Sequence, residues 1–144
     1  GIRDSVASRG LGDVYKRQSI TNSYSNIDNV TASSSHLGGL VGRISSSTIL
    51  NSYSTGKVVS TNSRGGLVGG LYQSNNTITD SFYDSDTSGQ SDTGKGIGKT
   101  TSLMKTLATF TDTSSADLTG SWDFYSTWEI DSSGTINNGY PYLK

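Results

Sequence analysis

Apolar residues are sparse in this chain, and from Ser19 onward they return at fixed intervals. Ile20-Thr21-Asn22-Ser23-Tyr24-Ser25 comes back as Ile49-Leu50-Asn51-Ser52-Tyr53-Ser54, and at the same interval again as Ile78-Thr79-Asp80-Ser81-Phe82-Tyr83. Gly38-Gly39-Leu40-Val41-Gly42 returns at nearly that interval as Gly65-Gly66-Leu67-Val68-Gly69. Alternation with period two predicts that Ile20, Asn22 and Tyr24 share one face of a strand, as do Ile49, Asn51 and Tyr53, and then Ile78, Asp80 and Phe82. The glycine-rich segments predict a second strand, with Leu40 and Leu67 inside. Gly39, Gly42, Gly66 and Gly69 would permit tight corners and positive φ. Val30 and Val59, separated as Ile20 and Ile49 are, predict a third short strand. Ser- and Asn-rich clusters between these runs are turn chemistry.

A period of this length implies units that cannot bury their apolar faces alone. The predicted fold is therefore all-β: a parallel β-helix, or solenoid, of about three coils over residues 19–90. Ile would stack on Ile, aromatic on aromatic, and Asn on Asn on Asp. The first unit has two more residues between Tyr24 and Leu40 than the second has between Tyr53 and Leu67, a difference expected to fall in one turn. A helical alternative fails because each interior glycine costs ~1 kcal/mol relative to Ala. The L-x-x-L-x-L pattern of a leucine-rich repeat is absent.

Residues 91–144 carry a different pattern, and an open stack of strands needs its end covered. Leu103, Met104, Leu107 and Ala108 predict one face of a short helix begun by Thr100 or Thr101. Trp122/Phe124 and Trp128/Ile130 alternate as strands would, and Asn138-Gly139 signals a turn. Both Trp residues and the only Met and Pro lie here. The segment is read as a C-terminal cap of one short helix and aromatic-rich strands.

Composition narrows the function classes. Leu, Ile, Val and Phe supply 29 of 144 residues, yet the formal net charge is only −1, so the chain is ordered but economical with apolar residues. There is no cysteine, which removes disulfides, thiol chemistry and Cys-ligated metals. Residues 1–18 hold four Lys/Arg and two Asp. Asp13–Gln18 and Ile2–Ser5 can each be back-translated to one sequencing-adapter oligonucleotide in two reading frames. That stretch is read as a non-native leader and set aside. From Ser19 the balance is seven basic to ten acidic residues, leaving no basic patch for nucleic acid. No apolar run approaches the length of a membrane span.

Candidate chemistry is thin. Asp84, Asp86, Ser88 and Asp92 have the spacing of a calcium loop with Gly89 at its turn, but Lys95 stands where a bidentate Glu belongs. Gly98-Lys99-Thr100 is a fragment of a phosphate loop whose earlier Gly is replaced by Thr93. His36, the lone histidine, sits in a Ser-rich turn without an evident catalytic partner. Asp28 is the sole carboxylate between Ser19 and Thr79, so the repeats cannot supply the acid pair of a glycosidase. No catalytic residue and no cofactor is expected.

The G-G-L-V-G and I-x-N-S-Y-S-T-G-x-V runs over residues 20–83 resemble the GLUG-repeat family of bacterial secreted and surface proteins. The tail from Thr100 to Leu143 is similar to the segment that closes such arrays. The resemblance implies an extracellular, adhesin-like β-helix without enzymatic activity. Its partners would be host or cell-surface glycans or proteins, together with further repeats upstream in the same chain. Two other functions are consistent with the residues. One is a carbohydrate-binding module using Tyr72, Tyr83 or Tyr125; the other is an accessory β-helix of a surface hydrolase whose catalytic domain lies elsewhere.

Overall fold

The computed structural model describes residues 14–33 and 36–144. Short strands dominate its first half: β1 (Val14–Lys16), β2 (Ser19–Thr21), β3 (Tyr24–Ser25), β4 (Asn29–Thr31), β5 (Leu37–Gly38), β6 (Val41–Ser45) and β7 (Thr48–Leu50). Then come β8 (Tyr53–Ser54), β9 (Lys57–Val59), β10 (Arg64–Gly65), β11 (Val68–Tyr72), β12 (Thr77–Thr79) and β13 (Phe82–Asp84). The second half holds three single-turn helices, α1 (Ser85–Ser88), α2 (Thr101–Met104) and α3 (Ala108–Thr111). It also holds β14 (Ile97–Lys99), β15 (Trp128–Glu129), a 3-10 turn at Asn137–Gly139, and β16 (Tyr142–Leu143).

The fold is mostly β, in small parallel sheets that join equivalent positions of successive repeats. Their orders are β1-β6-β11, β2-β7-β12, β3-β8-β13-β14, β4-β9 and β5-β10. Ile20 lies over Ile49 and Ile49 over Ile78, and Tyr24 over Tyr53 over Phe82. The periodicity of the sequence is thus the register of the sheets.

The strand predicted from Ile49 to Tyr53 is broken into two. Asn22, Asn51 and Asp80 all adopt left-handed backbone, with φ of 49°, 49° and 46°. Asn and Asp tolerate this conformation best among non-Gly residues. A left-handed residue ends the alternation, so Ile and aromatic do not share a face. Ile20, Ile49, Leu40 and Leu67 pack in one buried cluster with Val41, Ile44, Val68 and Tyr83. Tyr53 and Phe82 are buried in a second cluster, with Tyr24 packed against it.

The serine after each corner completes it. Ser23, Ser52 and Ser81 are buried, and their hydroxyls donate back to the carbonyls of Thr21, Leu50 and Thr79 at 3.0, 2.9 and 2.7 Å. Each hydroxyl oxygen can also accept from the unit before: Ser23 N donates to Ser52 Oγ and Ser52 N to Ser81 Oγ, both at 3.2 Å. A second corner repeats the device: Gln18 N donates to Ser47 Oγ and Ser47 N to Asn76 Oδ1.

Gly38, Gly39, Gly65, Gly66 and Gly69 act by lacking a Cβ, not by adopting positive φ. None of Gly38, Gly39, Gly42, Gly65, Gly66 or Gly69 has a positive φ. A Cβ on Gly39 would collide with the Gly66 carbonyl, and one on Gly66 with the Tyr83 ring. Stacked backbones approach too closely there for any side chain.

Two register details differ from expectation. Val30 lies over Val58, not Val59, and those two valines pack with Leu37 in a third cluster. The two extra residues of the first unit are divided between turns. One falls between Ser25 and Asn29, set against Ser54 and Lys57, and one between Thr31 and Leu37, set against Val59 and Arg64.

Val14–Lys16, inside the leader set aside above, forms β1 and pairs in parallel with Arg43–Ser45. Residues 1–13 of that leader lie outside the described residues.

The C-terminal segment departs furthest from expectation. Thr100 does cap α2, its side chain accepting from Leu103 N, and β14 extends the β13 edge. The single predicted helix is two separate turns, of which Met104 and Phe110 are buried while Leu103 and Leu107 are each 45% exposed. Trp122 and Phe124 are in no strand; Trp128–Glu129 pairs antiparallel with Tyr142–Leu143. The segment's two Trp residues pack against the column of aromatic residues of the repeats. Trp128 touches both Tyr24 and Tyr53, while Trp122 touches Tyr53 and Phe82.

Candidate functional site

Two constructions hold the chemistry of this protein: a seal over the exposed strand edges of the last repeat, and a strap along its aromatic side.

The seal is built from residues 85–97. After β13 the chain does not complete another full unit; β14 pairs with β13 after a much shorter path, Ile97 against Phe82. That path crosses Leu67, whose Cβ and Cδ2 are both 2.8 Å from where a Cβ on Gly96 would stand. Gly96 has φ of 112°, so glycine is required there twice over. Side chains on this path satisfy the edges that a further unit would have paired. Thr87 Oγ1 donates to Thr55 O, and Gln90 Nε2 to Val58 O at 3.0 Å. Asp92 Oδ1 accepts from Gly66 N at 2.8 Å, and Lys95 Nζ donates to Arg64 O at 2.6 Å and Gly69 O at 3.2 Å. Buried backbone groups left unpaired would cost about 1–3 kcal/mol each.

Three of the four residues with calcium spacing lie in this seal, and Asp84 precedes it at the end of β13. Asp84 is buried, caps α1 by accepting from Asp86 N and Thr87 N, and accepts from Thr101 Oγ1 and Tyr140 Oη at 2.7 and 2.6 Å. Asp86 Oδ2 accepts from Thr101 N at 2.9 Å. Ser88 is buried and accepts from Gln90 N. Asp92 stands apart from them over Gly66. Among the described residues, no three His, Asp or Glu side chains form a group able to hold a metal.

The strap is fastened at the corner column. Trp128 Nε1 donates to Asn22 Oδ1 at 3.3 Å. Asp80 accepts from Thr119 N, Thr119 Oγ1 and Gly120 N, and its carbonyl accepts from Trp122 Nε1 at 2.9 Å. Asn137 Nδ2 donates to Tyr53 Oη at 2.8 Å, and Tyr53 donates to Pro141 O. Burial pushes the Tyr53 phenol well above its usual range. Burial does the same to Tyr140, reinforced by its bond to Asp84. Burial, and then the Asp92 charge, push Tyr83 up to about 12.

The remaining sequence candidates fall elsewhere. His36 has φ of 72°, and its ring occupies the space a Cβ on Gly70 would need. Gly98 and Lys99 are in β14, and Lys99 pairs with Asp117. Tyr83 is buried, with its hydroxyl donated to Asp92 O, so it offers no ring face to a sugar. Tyr72 is half exposed beneath the Arg43 guanidinium, 4.9 Å from its centroid, and Tyr125 is 95% exposed.

Stacked, parallel units whose like positions pair in register define a repeat protein. Residues 33–59 match the family model described as the GLUG motif, so this chain carries that motif. A protein of Evansella cellulosilytica described as "Putative Gly-rich membrane protein" is 41% identical over 123 residues, covering 81% of this chain and 13% of that protein. The chain therefore spans about an eighth of that relative. No solved structure matches. Among the described residues no helix is long and apolar enough to cross a membrane.

Proposed function

We propose that this chain is a non-enzymatic structural segment of a bacterial surface protein, in which the stacked units form the last coils of a parallel β-helix. The observation that carries this reading is the seal. Residues 85–97 spend their side chains on strand edges and on the end of the core, the task of a terminal cap in a stacked array. At the opposite end, Ser23 Oγ occupies the place where Ser52 and Ser81 each accept an N–H from the unit before. A preceding unit of the same kind would supply that donor, so growth is directed upstream. The relative's length and its description as a membrane protein support a longer, envelope-associated whole. Surface-exposed glycans or proteins are its natural partners, reached by a stiff and hydrated rod.

Small-angle scattering from the chain carrying additional upstream repeats tests this. Each added unit should lengthen the particle by about 4.8 Å, one strand spacing, with a constant cross-section. Growth in all dimensions would reject the rod.

A further inference from the structure

The strap and the repeats line an open hollow of about 180 Å³ whose walls are polar and apolar in about equal measure. One wall is the turn Asn26–Asp28; the other is Asn137 and Asn138 of the 3-10 turn, with Tyr140, Thr55 and Thr87 of the seal completing the lining. Asn26 Nδ2 donates to Asn137 Oδ1 at 2.9 Å and ties the walls together. The Asp28 carboxylate and the Asn138 amide, both exposed, have no partner among the described residues.

This is also where the first repeat carries one of its extra residues. Asn26, Ile27 and Asp28 span the turn that Thr55 and Gly56 span in the next unit. The longer turn settles onto Gly56, where a Cβ would stand 2.5 Å from Ile27 O. The added length thus builds the lip of the hollow.

The lining selects a ligand class. Among the described residues no Lys or Arg lines the hollow, and Asp28 stands at its lip, which disfavours an anion. One carboxylate without a second is a poor cation site. Amides that donate and accept, beside an accepting carboxylate, match adjacent hydroxyl groups, each of which donates once and accepts twice. The volume is below the roughly 300–1,000 Å³ of pockets for drug-sized ligands, which limits the occupant to a single ring.

We propose that this hollow binds one neutral pyranose ring, with Asp28, Asn26 and Asn138 supplying the hydrogen bonds. The site is independent of the structural role assigned above and of the exposed tyrosines. Saturation-transfer NMR on the whole chain with the methyl glycosides of glucose, galactose, mannose and N-acetylglucosamine tests it. At least one should bind saturably in the millimolar range, about 1–10 mM. Asp28→Asn should weaken that binding at least tenfold, because a hydroxyl donor then faces a poorer acceptor. Asn138→Gly keeps the left-handed backbone while removing the amide and should weaken it similarly, with an unchanged melting temperature in both variants. The proposal is overturned if none of the four binds at about 50 mM, or if both variants bind as the parent does. It is equally overturned if binding survives them and is lost on Tyr125→Ala.

Discussion

A single hydroxyl at each corner does what a longer turn would otherwise require. Ser52 Oγ donates to Leu50 O and accepts from Ser23 N, so one buried atom both closes its own corner and binds the neighbouring unit. Ser52→Ala removes both bonds and leaves the Ser23 N–H buried without a partner. The expected loss is about 1–3 kcal/mol, read as a lower midpoint in urea unfolding with the slope unchanged. An unaltered midpoint would show that water replaces the hydroxyl. The left-handed corner residues were visible in the sequence as Asn, Asn and Asp at one repeat position. Their conformation was not, because period-two alternation continues through Asn51 on paper while the backbone turns there.

At the scale of elements, short strands are stabilised by their neighbours above and below, since two- and three-residue strands have little stability alone. β1 shows this most directly. It pairs along Val14–Lys16 with β6, and the chain beyond it adds Arg17 N to Ser45 O at 3.0 Å and Thr48 N to Gln18 O at 2.9 Å. Truncation before Ser19 removes these bonds. It is expected to cost about 1–3 kcal/mol and to lower the melting temperature by several degrees. An unchanged melting temperature would show that residues 14–18 contribute nothing to stability, whatever their origin. The composition of the leader set it apart from the repeats, but composition does not report pairing, which depends on backbone groups that every residue carries.

For the whole molecule, the strap touches all three repeats, bonding to Asn22, Tyr53 and Asp80. Tyr53, Tyr83 and Tyr140 sit where the strap, seal and repeats meet, and their phenols are held neutral. Both folded and unfolded chains keep these phenols protonated below pH 10, so their contribution to stability there is complete. Above pH 10 the unfolded chain releases the protons first, so stability falls as pH rises toward 12. Tyrosinate absorbance should therefore show these three of the eight tyrosines ionising only as near-ultraviolet dichroism is lost. Ionisation near pH 10 with the fold intact would contradict their burial.

The sequence alone determined the repeat length, the parallel pairing of like positions and the buried Ile and Leu columns. Those follow from a local period that any stack must respect. It also placed a helical turn after Thr100. Only the tertiary structure decided that the aromatic column packs apart from the Ile and Leu cluster, that the Trp residues join it there, and that residues 85–97 meet Leu67 and the strand edges of the last repeat. The reason is that a corner and a cap are defined by what lies across from them. Asn22 and Asp80 occupy equivalent positions, yet one meets Trp128 and the other Thr119, and only the folded chain brings those partners near.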